Sequence, residues 1–187
     1  MDTVLEQVRD FADSAHGTET RKYSPERYIV HPVRVMEICA TQTSDRPVLA
    51  AALLHDVLED TSVDRHQLHQ FLASLMDGEE AQRTLKLVVE LTDVYTKPSF
   101  PRWNRRKRKA KEAARIQKTS AESQTVKYAD IIDNCREITV ADPDFAGVFL
   151  CECRMLLRKM PLGNATLYQQ AIDTVEQCLQ ELRKARS

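Results

Sequence analysis

The sequence predicts an all-α fold, and three observations carry that expectation. Apolar residues recur at helical spacing in segment after segment, and no stretch alternates apolar and polar residues as a half-buried strand would. Only four of the 187 residues are glycine, too few for a loop-rich β-protein. Leu, Ala, Glu, Lys, Arg and Gln, the good helix formers, are abundant. Hydrophobic residues make up 42% and charged residues 29%, a globular balance, and the length suits a single domain over residues 1–187.

The periodicity sets out about nine helices. Residues 2–15 form an amphipathic helix with Val4, Leu5, Val8, Phe11, Ala12 and Ala15 on one stripe, closed by Gly17. A polar loop over 16–30 follows, dense in Arg, Lys and Tyr. His31-Pro32 opens a helix to about Gln42, with proline in its first turn. Residues 46–57 are an almost wholly apolar helix. Helices over 64–76 and 79–92 come next, divided at Gly78. Pro98 and Pro101 keep 93–101 as a loop. A strongly basic stretch covers 102–118. Ser120 caps a helix over 121–138, a break falls at Asp142-Pro143, and helices over 144–160 and 165–184 flank the turn Pro161-Leu162-Gly163.

Composition excludes several classes. Net charge is −1, so no bulk attraction to nucleic acid is expected. No run of about 18 apolar residues exists, so no membrane span is expected, and the N-terminus lacks the basic and apolar regions of a signal peptide. Cys39, Cys135, Cys151, Cys153 and Cys178 are odd in number and lie inside helical patterns, which a reduced, cytoplasmic chain accounts for simply. Cys151 and Cys153 are spaced too closely for a zinc pair.

The chemistry concentrates where the apolar helix ends. Leu54 is followed by His55-Asp56 and, one turn later, by Glu59-Asp60. On a continuous helix, His55 with Glu59 and Asp56 with Asp60 are i, i+4 pairs sharing a face. Ionisable groups at the end of an apolar helix need a partner or a metal. The segment therefore reads as presenting a divalent ion and the groups that act on its water; an acidic cap of the next helix is the bland alternative for Glu59 and Asp60. Of the other histidines, His16 reads as a cation at a helix C-terminus, and His66 and His69 as solvent-facing.

Three motifs occur in order: Tyr28-Ile29-Val30-His31-Pro32, then His55-Asp56-Val57-Leu58-Glu59-Asp60-Thr61, then Lys127-Tyr128-Ala129-Asp130 followed by Asp133-Asn134. Together, with Arg21-Lys22 ahead of them, they resemble the HD-domain metal-dependent phosphohydrolases, and within these the Rel/Spo hydrolase domain in its stand-alone form, the small alarmone hydrolases. The likeness covers residues 20–136, with the helices of 144–184 completing an HD-type bundle.

The resemblance implies one divalent ion, Mn²⁺, held by His31, His55, Asp56 and Asp130. It implies Glu59 as the main base with Asp60 assisting, and a small-molecule nucleotide substrate that loses its 3′-pyrophosphate. Arg21 and Lys22 match the family's nucleotide-side pair. Asn134 and Lys127 match substrate-side positions, where bracing a carboxylate is the open alternative for Lys127. Arg105 and Arg106 are the parts of the basic stretch expected to attract phosphate, against the plainer reading of a solvated face. Nucleic acid is not the expected partner, since Trp103 is the only aromatic among those cations. Pro25 and Arg27 depart from the family loop, and Cys135-Arg136-Glu137 from the segment after Asn134, so guanine and adenine both stay open as the base. An HD-type nucleotidase and a non-enzymatic binding module are the competing functions. Oligomeric state is not legible.

Overall fold

The structure is a computed structural model that describes residues 2–185. Among them every regular element is a helix; the one β feature is an isolated antiparallel bridge between Thr20 and Arg27. The described residues group into two compact units, one ending at Thr92 and the other beginning at Asp93.

The first unit holds α1 (Thr3–His16), α2 (Val30–Ala40), α3 (Arg46–Leu54), α4 (Val57–Asp60), α5 (Arg65–Leu75) and α6 (Gly78–Leu91). Its centre is α3, in which every residue from Pro47 to Leu54 is buried. A helix apolar on all sides must be enclosed, and α1, α2 and α6 all pack on this one. Arg46, at the start of α3, binds Asp2 at 2.7 Å and Glu80 at 3.0 Å, joining the beginnings of α1 and α6 to it. The side chains of Asp2, Asp64 and Asp77 cap α1, α5 and α6, and Asp64 forms a full capping box with Gln67.

The helix expected over 46–57 is shorter than its pattern. It ends at Leu54, and Val57–Asp60 is a separate single turn, the one helical segment beyond the nine expected. The physical reason is local. His55 Nδ1 bonds the carbonyl oxygen of Ala52 at 2.8 Å, and Asp56 lies at φ −98°, ψ −8°, in the bridge region between helix and strand. Asp56 thereby becomes the N-cap of this turn: its carbonyl accepts the Glu59 amide at 3.1 Å and the Asp60 amide at 2.9 Å, so Asp56 and Asp60 keep the expected i, i+4 relation although the helix is interrupted before them.

The loop between α1 and α2 is tighter than a plain connector. Gly17 takes φ +60° to end α1. The Arg21 amide then bonds the Glu26 carbonyl and the Tyr28 amide bonds the Glu19 carbonyl, each at 2.9 Å. Arg27 closes the base of the loop on Asp13 and on the Gly17 carbonyl.

The second unit holds α7 (Arg105–Ile116), α8 (Ala121–Ala141), α9 (Pro143–Leu157) and α10 (Ala165–Ala185). The last three pack on one another, and α7 lies on α9. The basic stretch becomes helical only at Arg105, where the Asn104 side chain caps it; Tyr95, Phe100 and Trp103 cluster in the preceding loop. Helix α8 runs on to Ala141, three residues past the expected 138, because nothing before Asp142-Pro143 interrupts it. The turn at Gly163 sits hard against α8: a Cβ there would lie 2.5 Å from Tyr128 Cε2 and 2.8 Å from the Thr125 amide nitrogen. The buried Tyr128 hydroxyl donates to the Met160 carbonyl and accepts from the Gly163 amide, which fixes α8.

Candidate metal centre

The centre of the first unit is built on two helix ends. His31 lies in the first turn of α2, 1% exposed, and His55 follows the last residue of α3, 2% exposed. The rings meet edge to face, centroids 5.1 Å apart at 68°. Asp56 brings its carboxylate between them: Oδ2 lies 3.0 Å from His55 Nε2 and 3.7 Å from His31 Nε2. One ligand atom from each of the three residues falls within 4.8 Å of the others.

The donor set suits a divalent ion. A backbone carbonyl only accepts, so the bond to Ala52 puts the His55 proton on Nδ1 and turns the lone pair of Nε2 toward Asp56. Two buried imidazole nitrogens and a carboxylate oxygen are the mixed N/O set that Mn, Fe and Zn accept.

Tyr28 joins this centre to the acidic turn. Its hydroxyl donates to Asp56 Oδ2 at 2.6 Å and lies 3.2 Å from Asp60 Oδ2. Glu59 and Asp60 are both exposed on α4. Loss of water around the Asp60 carboxyl, and then the Asp56 charge, push its pKa above the ordinary carboxylate value, against the lowering effect of the Tyr28 bond.

Arg21 and Lys22 stand on the loop before Tyr28. Arg21 is buried, 8% exposed, with its guanidinium 5.8 Å from the centre of the Tyr28 ring. Lys22 is exposed and donates to the Tyr23 hydroxyl at 2.6 Å.

In the second unit, Asp130 is 6% exposed on α8. Lys127 Nζ lies 2.8 Å from its Oδ2, and Asn134 donates to its Oδ1 at 2.5 Å. The three residues are i, i+3 and i+7 along one helix face, opposite the locked Tyr128. Arg105 forms a two-pronged pair with Glu152, at 2.8 and 2.7 Å, and lies over Phe145; Arg106 is exposed.

Two residues beside the centre do not stand out in the sequence. Tyr28 shows there only as part of a motif, although it stands three before His31 where α2 begins. His16 shows there as a helix-end cation. It does end α1, and it is also 7% exposed and packed at a 30° tilt on Tyr28, with ring centroids 4.4 Å apart. Its signal was its place on the α1 stripe: Leu5, Val8, Ala12 and His16 are the buried residues of that helix.

A helical fold whose centre is two histidines and an adjacent aspartate defines a class of metal-binding helical domain, and comparison with known proteins agrees. The HD domain family model matches residues 9–148, and the chain belongs to that family. Relatives include the guanosine-3′,5′-bis(diphosphate) 3′-pyrophosphohydrolases of Mus musculus and Homo sapiens. The first is 34% identical over 145 residues, covering 74% of this chain and 72% of the relative; the second is 34% identical over 146, covering 75% and 72%. A Vibrio cholerae protein of the same name is 43% identical over 79 residues, but the match spans only 40% of this chain and 11% of that one. Among solved structures, a metazoan SpoT ortholog described as hydrolysing ppGpp aligns with TM-score 0.74 at 22% identity, covering 100% of this chain and 97% of its own. A Listeria monocytogenes protein aligns with TM-score 0.62 at 20% identity, over 85% and 99%. These two likenesses concern the fold.

Proposed function

We propose that this protein is a metal-dependent hydrolase that removes the 3′-pyrophosphate of a guanosine or adenosine alarmone, (p)ppGpp or (p)ppApp, leaving the 5′-nucleotide and pyrophosphate. One observation carries the reading: three quarters of the chain aligns at 34% identity with a 3′-pyrophosphohydrolase, and the alignment accompanies a His31–His55–Asp56 cluster flanked by two carboxylates.

The ion in this proposal is Mn²⁺, with Asp130 as the fourth ligand that the family resemblance assigns. Such an ion, when bound, polarises a phosphoryl group and acidifies water. Glu59 takes the proton of the attacking water, as an exposed carboxylate three residues after Asp56. Asp60 assists from its place beside the Tyr28 hydroxyl. The water attacks the phosphorus bonded to the ribose 3′ oxygen, and that oxygen leaves with a proton as the 3′-hydroxyl.

Arg21, Lys22, Arg105 and Arg106 are the proposed cations for the substrate's charge. Exposed Lys22 and Arg106 are the readiest to meet it. Lys127 and Asn134 hold both oxygens of Asp130, which orients a ligand rather than a ribose. Pro25, Arg27 and Glu137 differ from the family pattern and keep adenine beside guanine as the base.

The test is incubation of the Mn²⁺-loaded protein with ppGpp, ppApp, GMP and AMP. Pyrophosphate from ppGpp or ppApp supports the proposal and identifies the base. Orthophosphate from the monophosphates, with the alarmones untouched, makes the protein an HD-type nucleotidase instead.

A further inference from the structure

We propose that Tyr28 is the positioning residue of the His31–His55–Asp56 centre, and that His16 is the ring that holds it. The inference rests on the metal-centre reading and goes beyond it, because neither residue is a ligand.

Asp56 needs an external hold. It lies past the end of α3, where its backbone caps the single turn α4, and its side chain is short and 20% exposed. The Tyr28 hydroxyl supplies that hold at 2.6 Å, on the oxygen that also faces both imidazoles. The same hydroxyl reaches Asp60 at 3.2 Å. One phenol thus fixes a ligand and the acidic turn relative to each other. Hydrogen bonds to a ligating carboxylate orient it and tune the ion it binds.

Tyr28 is held in turn from three directions. Its amide bonds the Glu19 carbonyl at 2.9 Å. The Arg21 guanidinium lies 5.8 Å from its ring centre. His16 packs on the ring at 4.4 Å and 30°. Glu19 serves twice, because its carboxylate Oε2 lies 3.3 Å from His16 Nδ1. His16 Nε2 is buried with no hydrogen-bond partner. An orphaned buried nitrogen is costly and calls for an explanation. The explanation here is that Nδ1 faces the Glu19 carboxylate and the flat face of the imidazole packs against Tyr28, so Nε2 is left without a role as donor or ligand.

The variants Tyr28→Phe, His16→Ala and His16→Phe test this, with Mn²⁺ binding measured by titration calorimetry beside steady-state kinetics. Tyr28→Phe keeps the ring and removes only the hydroxyl. We expect its Mn²⁺ dissociation constant to rise about tenfold to a hundredfold, with a fall in kcat of similar size and KM within about twofold. His16→Ala should weaken Mn²⁺ binding in the same direction, and His16→Phe, which restores a stacking ring, should recover most of it. Parent-like Mn²⁺ binding and kcat in Tyr28→Phe overturns the proposal while leaving the metal centre standing. Equal Mn²⁺ binding in His16→Ala and His16→Phe overturns the role of His16. A parent protein that binds no Mn²⁺ brings down the metal centre and this inference together.

Discussion

His55 donates its Nδ1 proton to the Ala52 carbonyl at 2.8 Å, and this single bond both closes α3 and aims Nε2 at Asp56. The two roles can be separated. Asn places an amide nitrogen close to where His carries Nδ1, but has nothing at the position of Nε2. His55→Asn should therefore keep the helix end, with stability within about 1 kcal/mol of the parent, and lose Mn²⁺ binding. Thermal unfolding and calorimetry on the same sample check it. Retained metal binding would show that His55 is a structural cap only.

Asp56 and Glu59 are expected to fail differently. Asp56→Ala removes the carboxylate that meets both imidazoles, so metal and turnover should both go. Glu59→Ala should still bind Mn²⁺ and lose turnover by about 10²- to 10⁴-fold, the usual contribution of a positioned base. A fully active Glu59→Ala protein would move the role of base elsewhere, with Asp60 the next residue to test.

Much of the centre was legible in the sequence because its parts are local. His31 precedes a proline at a helix start, and His55-Asp56 ends an apolar run, so neighbours along the chain reveal them. The hidden parts depend on geometry between distant segments. The end of α3 at Leu54 is set by a side-chain bond to Ala52 that no periodicity encodes. The reach of Tyr28 to Asp56 spans 28 residues. The burial of His16 depends on Tyr28 folding back over it. On α8, spacing alone put Lys127, Asp130 and Asn134 on one face, but only the side-chain geometry shows both polar groups turned onto the carboxylate.

That geometry yields a kinetic prediction. With Asp130 as the proposed fourth ligand, Lys127→Met and Asn134→Ala should each weaken Mn²⁺ binding, by about tenfold, with KM changed little. Calorimetry and steady-state kinetics decide it: a raised KM with parent-like Mn²⁺ affinity would make them substrate contacts.

Gly163 carries the sharpest stability prediction in the second unit. A methyl group there meets the Tyr128 ring at 2.5 Å and the Thr125 backbone at 2.8 Å, and the backbone has little room to yield. Gly163→Ala should cost about 1–3 kcal/mol, the usual range for overpacking, and lower Tm accordingly. An unchanged Tm would mean that the turn relaxes away from α8.

The central claim is hydrolysis at the phosphorus attached to the ribose 3′ oxygen. It is tested most directly by ³¹P NMR of ppGpp and ppApp turnover by the Mn²⁺-loaded protein in ¹⁸O-enriched water, with Asp56→Ala as the control. The account predicts that pyrophosphate appears from at least one of the two, carries the solvent oxygen, and is absent with the variant. Orthophosphate as the product, solvent oxygen in the nucleoside 3′-hydroxyl, or no turnover of either alarmone would contradict it.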